Sequence, residues 1–523
     1  MTDGDPTHRF RHALVHAVVE QQILPVRRAL LHLRIARAFE GHPYVPDRPH
    51  VLAHHYTRAV RLIGTDEAIG HLLAAAEASL RQHSPAAARA LYEQAAELLT
   101  EESPCHQRCD VHLGLGETGL RAGTEYREDL LTAARLAHEM GDVDRLVRAA
   151  VANNRGWYSS TADVDRDRVA VIDTALTMLP ADDPSYQAAR TRLLALWAME
   201  IVRDPTRRND ALRASAQSMQ LAEAIGDDAL LGEIMSHRFS VLYATAHDPA
   251  ATAQFAKDFD DFAHARIDPH LQLASATAVA QSTLLIGDVP SADRALDRAE
   301  RLAAELAHPA RMWLIGTWRA TRTAGRGDIE TAQKQATEAY EMAAAFGQPD
   351  AAMWYAGQLF VFHHMTKQLP DLMAAIEREA TALGEQLPAW RAAYALGLAT
   401  AGRHDEARAI VDHFRLSDFA GLPVDVLYLH ALSYLAEAVT TMRYVKAAND
   451  LYEALLPFAG MLANNATIDA GPVDLRLGEL AELSGDHGAA RRHLERAAKL
   501  CRESGMTTWL NHVHTALGAG PGV

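Results

Sequence analysis

The stretch SGDHGAARRHLERAAKLCRESG, residues 484–505, decides how the chain is read. A Ser-Gly turn leads into Asp486, whose carboxylate can accept from the free amides of a helix start, and an Ala-rich helix then runs to the next glycine. The same order recurs in IGDVPSADRALDRAERLAAEL from Ile286, AGRGDIETAQKQATEAYEMAAAFG from Ala324 and AGRHDEARAIVDHF from Ala401. Gly-Asp or Pro-containing junctions fall near Pro104, Gly141, Asp183, Gly226, Arg266, His308, Gly347, Leu387, Pro423, Ile468 and Gly505, at intervals of 36 to 45 residues.

A period near 40 built from two helices and a turn is the mark of an α-solenoid. One helical hairpin cannot cover its own apolar face, whereas stacking buries that face against both neighbours, and small residues let the helices approach. AIGHLLAAAEASL (Ala68–Leu80) fits this, with Ile69, Leu72, Leu73 and Leu80 set among alanines, and Ser84-Pro85 reads as the cap and first position of the next helix. Strand-like alternation is nearly absent. The expected fold is all-α: a tetratricopeptide-like right-handed superhelix of about ten or eleven hairpins. It spans residues 61–517, with linking helices over 1–60 and a flexible tail at 518–523.

The totals agree with a globular chain. Of 523 residues, 49% are hydrophobic, and three cysteines (Cys105, Cys109, Cys501) cannot staple a chain of this length, which points to a reducing compartment. The N-terminus lacks a signal peptide's basic and apolar regions and no run is long enough to span a bilayer, so a cytoplasmic location without membrane attachment is expected. Lys+Arg 51 against Asp+Glu 67 gives a net charge of -16, which argues against broad nucleic-acid binding.

The motif G-D-x-x-x-A-x-x-x-x-x-x-A, present as GDHGAARRHLERA from Gly485, resembles the second-helix start of tetratricopeptide repeats. The longer spacing resembles the C-terminal sensor region of MalT-like, LuxR-type and SARP-type bacterial signal-transduction ATPase regulators. FRHALVHAVVEQQILPVRRALLHLRIARAFE, starting at Phe10, is similar to the place where those ATPases pass from a winged-helix subdomain into their repeats. The C-terminal LYEALLPFAGMLANNATIDAGPVDLRLGELAELSGDHGAARRHLERAAKLCRESGMTTWL is similar to their last two repeats. The resemblance implies regulatory binding and is compatible with homo-oligomers. No G-x-x-x-x-G-K-[ST] phosphate loop is present, so no nucleotide cofactor is expected, and the chain reads as a sensor arm without ATPase core or DNA-binding domain.

Chemical constellations are sparse. His8, His12 and His16 share a helical face but lack an interleaved acid, and the adjacent pairs His54-His55 and His363-His364 diverge on a helix, so no metal site is expected. Arg27, Arg28, Arg34, Arg37 and His32 read as the outer face of a helix whose inner face is Leu30, Leu31, Ile35 and Phe39. Cys105 and Cys109 read as structural thiols, and Asp182-Asp183, Asp227-Asp228 and Asp260-Asp261 as helix caps.

The aromatic residues give the functional clue. Trp157, Tyr158, Trp197, Trp313, Trp318, Trp354, Tyr355, Trp390, Tyr428 and Tyr434 recur mostly in the first helix of successive units. They pack hairpin on hairpin, or line a concave groove. The candidate groove set is Trp157, Tyr158, Trp313, Trp318, Arg319, Trp354, Tyr355, Trp390 and Arg391, taking a protein segment or a small-molecule effector. The resulting expectation is a non-enzymatic binding scaffold or ligand sensor. The alternative is a small-molecule-transforming enzyme using His363, His364 or an acidic residue.

Overall fold

A computed structural model of the chain describes residues 22–518 apart from 41, 43–45, 123, 155–163, 181–182, 247, 346–347, 349 and 386. His8, His12, His16, the first third of the linking segment and nearly all of the tail lie outside the described residues. The described residues form 26 α-helices, four short 3-10 turns and one two-stranded hairpin.

The recurring junction has one geometry. At Gly141, Gly226, Gly287, Gly327 and Gly485 the backbone is left-handed (φ 67, 73, 78, 104 and 84°), which glycine adopts without a Cβ clash. The following aspartate then caps the next helix. Asp142 accepts from Arg145 N, Asp227 from Ala229 N and Leu230 N, Asp288 from Ser291 N, Asp328 from Thr331 N and Asp486 from Ala489 N. Each such cap contributes about 1 kcal/mol. The amide of the capping residue also donates back over the glycine, as in Asp486 N to Ala481 O at 2.9 Å, so the outgoing and incoming helix ends are satisfied by one dipeptide. Asp183 caps as expected. Asp260 does not: it lies inside the helix Pro249–His264 and accepts from Ser275 Oγ and Arg298, because Arg298 reaches it from the neighbouring hairpin.

Contacts divide the chain into two compact units: Met1–Asn154 with Ala170–Leu179, and Arg155–Val169 with Pro180–Val523. In the first, Ile69, Leu72, Ala75 and Ala76 pack on Ala88, Tyr92, Ala95 and Val111. The helix Cys105–Ala122 approaches so closely that a Cβ on Gly114 would lie 2.2 Å from the Tyr92 ring. Bidentate pairs Arg145–Asp110 (2.7 and 2.8 Å) and Arg148–Glu117 (2.6 and 2.8 Å) tie hairpin to hairpin. Cys109 donates to Ala133 O, and burial pushes its thiol up to about 12, which makes it inert as a nucleophile.

The helix Pro25–Glu40 overturns the sequence expectation at Leu30, Leu31 and Ile35 and bears it out at Phe39, which packs on the core of Leu33, Ala36, Leu52, Tyr56 and Ala59. Its buried residues are Ala29, His32, Leu33 and Ala36, while Leu30, Leu31 and Ile35 are 47%, 38% and 39% exposed. Ala29, Leu33 and Ala36 form a narrow stripe of small and medium side chains, and Leu33 and Ala36 pack with Leu52 and Tyr56 of the next helix.

In the second unit the helical array curls back on itself. Thr508 Oγ1, on the helix Thr507–Ala516, donates to Ala324 O at 2.7 Å, and Arg322 Nη2 donates to Ser504 O at 3.4 Å. These contacts seat the helix ends near Ser504 and Thr508 on the C-terminal end of the helix Pro309–Gly325. Between the helices Val445–Leu455 and Val473–Leu483 the repeat is interrupted by an antiparallel hairpin, Leu462–Asn464 with Asp469–Pro472, all of whose strand residues are buried. Helix breakers specify it. Asn464 Oδ1 accepts from Ala466 N, Asn465 Oδ1 from Thr467 N and Ile468 N, and Asp469 Oδ1 from Gly471 N, so side chains rather than a ladder fix the turn. The hairpin's carbonyls are satisfied by helices far away in sequence: Tyr243 Oη donates to Asn465 O, Thr321 Oγ1 to Thr467 O and His430 Nε2 to Ile468 O.

Candidate functional site

The second unit encloses a cavity of about 590 Å³, within the range of small-molecule sites. Seven helices reach it, chiefly Asp228–Thr245 (Ser240, Tyr243, Ala244), Ala351–Met365 (Met353, Trp354, Gly357, Phe360), Pro388–Thr400 (Ala389, Trp390, Ala393) and Tyr428–Thr441 (Tyr434), with Gln281 from Pro269–Leu285. The buried hairpin contributes Asn465, Thr467 and Ile468, and the segments around 199–208 and 420–427 add Met199, Val202, Arg203, Arg208, Pro423, Asp425 and Val426. Gly357 is small because the hairpin passes over it: a Cβ there would stand 3.3 Å from Ile468 Cγ2.

The aromatic lining is fixed by edge-on packing. Phe360 meets Tyr434 at 5.1 Å and Trp390 at 6.3 Å between ring centroids, and Trp354 leans on the buried Trp313 at 4.9 Å. The polar groups are few. Arg208 Nη1 donates to Val424 O at 2.6 Å, and its Nη2 lies 3.7 Å from Asp425 Oδ2, joining segments 216 residues apart. Burial raises Asp425 to about 6, against the opposing pull of the Leu427 amide and Arg208.

Behind the Tyr434 ring lies a buried charge network. His364 Nε2 and Arg476 Nη2 both reach Glu437 Oε2 at 2.7 Å, and Arg476 Nη1 reaches Glu479 at 2.7 Å. Burial alone would raise Glu437, but Arg476 and His364 outweigh it and hold the carboxyl well below its ordinary range. The Tyr434 hydroxyl is buried without a hydrogen-bond partner, and burial, Asp469 and Glu437 push it up.

This arrangement of stacked hairpins around a cavity settles the fold class. The chain is an all-α helical-repeat protein. No family model and no curated protein matches it. Among solved structures it is similar to the APC/C hetero-tetramer Cut9-Hcn1, with TM-score 0.46, 14% identity, and 95% of this chain and 94% of that chain covered. It is also similar to a Signal Transduction ATPase with Numerous Domains protein with a tetratricopeptide repeat sensor from Pyrococcus horikoshii (TM-score 0.40, 10% identity, 86% and 67% covered). A third is Naa15/Naa10 bound to HypK-THB, at TM-score 0.24 and 12% identity, covering 97% and 95%.

Of the groove residues expected from sequence, Trp354 and Trp390 line the cavity. Trp313 and Trp318 are each 1% exposed and pack between helices. Tyr355 stacks on Tyr340 at 4.9 Å and shares a hydrogen bond with Thr337. Arg319 pairs with Asp297 and Glu300, and Arg391 lies over the Phe414 ring at 5.9 Å. Trp157 and Tyr158 lie outside the described residues. Trp197 carries Arg207 over its ring at 5.0 Å, and Tyr428 meets Phe458 edge-on. His363 bonds Leu359 O and His364 faces Glu437, so neither lines the cavity. Sequence reasoning missed Met199, Tyr243, Arg208, Asp425 and Ile468. The Asn-Asn and Asp-Ala-Gly-Pro breakers around Ile468 were the one available signal. Among the described residues no helix is long and apolar enough to cross a membrane.

Proposed function

We propose that the chain is a non-enzymatic regulatory scaffold whose second unit receives a small, mainly apolar effector in the cavity lined by Trp354, Trp390, Phe360 and Tyr243. The cavity itself carries the reading: its volume suits a small molecule, and its apolar wall is broken by a few convergent polar groups. Arg208 and Arg203 at one edge favour an effector with a carboxylate or another hydrogen-bond acceptor. The buried hairpin lends Asn465, Thr467 and Ile468 to the cavity wall, which favours a small effector over an extended protein segment there. Protein partners then engage other surfaces of the array. The sequence resemblance to MalT-like and LuxR-type sensor regions supports a role in bacterial signal transduction and transcriptional control, with residues 1–60 as the remnant of a winged-helix boundary.

The test is native mass spectrometry of the chain purified from its source cells, followed by rebinding of the released compound. A retained small molecule that the Trp390→Ala variant rebinds at least tenfold more weakly supports the reading. Recovery of no compound, together with unchanged fluorescence of Trp354 and Trp390 across a library of carboxylated apolar metabolites, sinks it.

A second reading, an enzyme acting on a small molecule, is favoured by Asp425, a carboxyl raised to about 6 at the cavity wall beside Arg208. Turnover of the bound compound that Asp425→Asn abolishes without weakening binding would establish it.

A further inference from the structure

We propose that His32, His54 and His55 in the first unit form a Zn2+ site that clamps the helix Pro25–Glu40 to the helix Arg48–Arg58. Adjacent histidines on one helix diverge by about 100° and cannot close on an ion by themselves. The reversed face of the first helix changes this. His32, 9% exposed and flanked by the buried Ala29, Leu33 and Ala36, projects toward the paired rings of the second helix.

The three side chains offer ligand nitrogens that all lie within 4.8 Å of one another. The ring centroids stand 5.1 Å (His32–His55), 5.0 Å (His54–His55) and 6.0 Å (His32–His54) apart. Without metal, one of the His32 and His55 Nδ1 atoms donates to the other at 2.8 Å. A tetrahedral ion bound at about 2.0–2.1 Å from each nitrogen needs those atoms only about half an ångström further apart, which small ring rotations supply.

The donor set suits Zn2+. Three neutral imidazoles make the donor set of an open zinc site, with water as the fourth ligand. His54 is the exposed member, giving the ion its entry and the water its place. The clamp also has mechanical value. The core beneath it is small, consisting of Leu33, Ala36, Leu52, Tyr56 and Ala59 with Phe39 and Ile63 at its margin, and a metal bond adds more stability there than further packing can.

The experiment uses the full chain, stripped with a chelator and titrated with Zn2+ by calorimetry and with Co2+ by visible absorption. The expected result is one ion per chain, a four-coordinate Co2+ spectrum, and a rise in melting temperature. His55→Gln and His54→Gln each weaken binding at least tenfold, while His363→Gln in the second unit leaves it unchanged. His54→Gln removes an exposed ring, so it keeps the test valid if variants at the buried His32 fail to fold. Unchanged stoichiometry and affinity in both His54→Gln and His55→Gln overturns the proposal. So does the absence of saturable binding at micromolar Zn2+, which would leave the three rings as a hydrogen-bonded cluster.

Discussion

The indole of Trp509 donates from Nε1 to Asp469 Oδ2 at 3.0 Å, fastening the last helix to the buried hairpin. Both residues are essentially inaccessible, and burial pushes the Asp469 carboxyl up despite the Gly471 amide and the indole. Trp509→Phe keeps an aromatic ring, smaller than the indole, and removes the donor. A buried acceptor left without its donor costs about 1–3 kcal/mol, which should appear as a lower urea midpoint with an unchanged slope.

Gly471 is a second point of failure in the same contact. Its φ is 88°, and a Cβ would stand 2.8 Å from the Trp509 ring. Gly471→Ala combines a left-handed alanine with overpacking and should cost about 2–4 kcal/mol in denaturant unfolding.

Glu437 joins His364 and Arg476. Replacing it by Gln leaves a buried guanidinium held by Glu479 alone. Breaking a buried pair from one side costs about 3–5 kcal/mol, so Glu437→Gln should destabilise far more than Arg403→Ala, whose pair with Glu406 is exposed. Calorimetric melting of the two variants side by side measures the contrast.

Stability should fall on acidification through the histidines. Burial lowers both His430 and His512 to about 4, so between about pH 6.5 and 4 the unfolded chain binds protons that the folded chain refuses. Their contribution is intact above about pH 6.5, declines as pH falls through that window, and is fully lost below pH 4. Asp425 acts with the opposite sign. Raised to about 6, it favours the fold below its unfolded pKa and loses that contribution as pH rises through 6. Urea midpoints from pH 4 to 8 should show Asp425→Asn gaining on the parent chain between about pH 4 and 6 and holding that gain above pH 6.

Ala307 occupies the left-handed place (φ 47°) that glycine takes at other junctions. Ala307→Gly removes that clash at some cost in chain entropy and should stabilise by about 0.5–1 kcal/mol, read as a rise in melting temperature.

The fold was legible because the Gly-Asp junction is a local device. Left-handed glycine and capping aspartate are specified within two residues, so Gly287-Asp288 and Gly485-Asp486 announce their turns wherever the chain goes afterwards. The site was less so. Trp354 and Trp313 have the same residue type and a similar helical setting, yet one lines the cavity and the other is sealed, because Ala339, Ala343 and Ala351 from later helices close over Trp313. The inner face of Pro25–Glu40 was misread for a related reason. Apolar bulk alone does not say which face meets the neighbour, and here Leu33 and Ala36 rather than Leu30, Leu31 and Ile35 pack on Leu52 and Tyr56.

The hairpin also bears on how such a chain can change over generations. Linear helical arrays gain and lose repeats readily, since each repeat touches only its neighbours. Here Tyr243, Thr321, His430 and Trp509 all close on one eleven-residue element, Leu462–Pro472. Duplicating or deleting a helix pair between any two of them would shift the remaining partners out of register with it. The repeats of this unit are thus locked in number, and evolution can alter their side chains far more easily than their count.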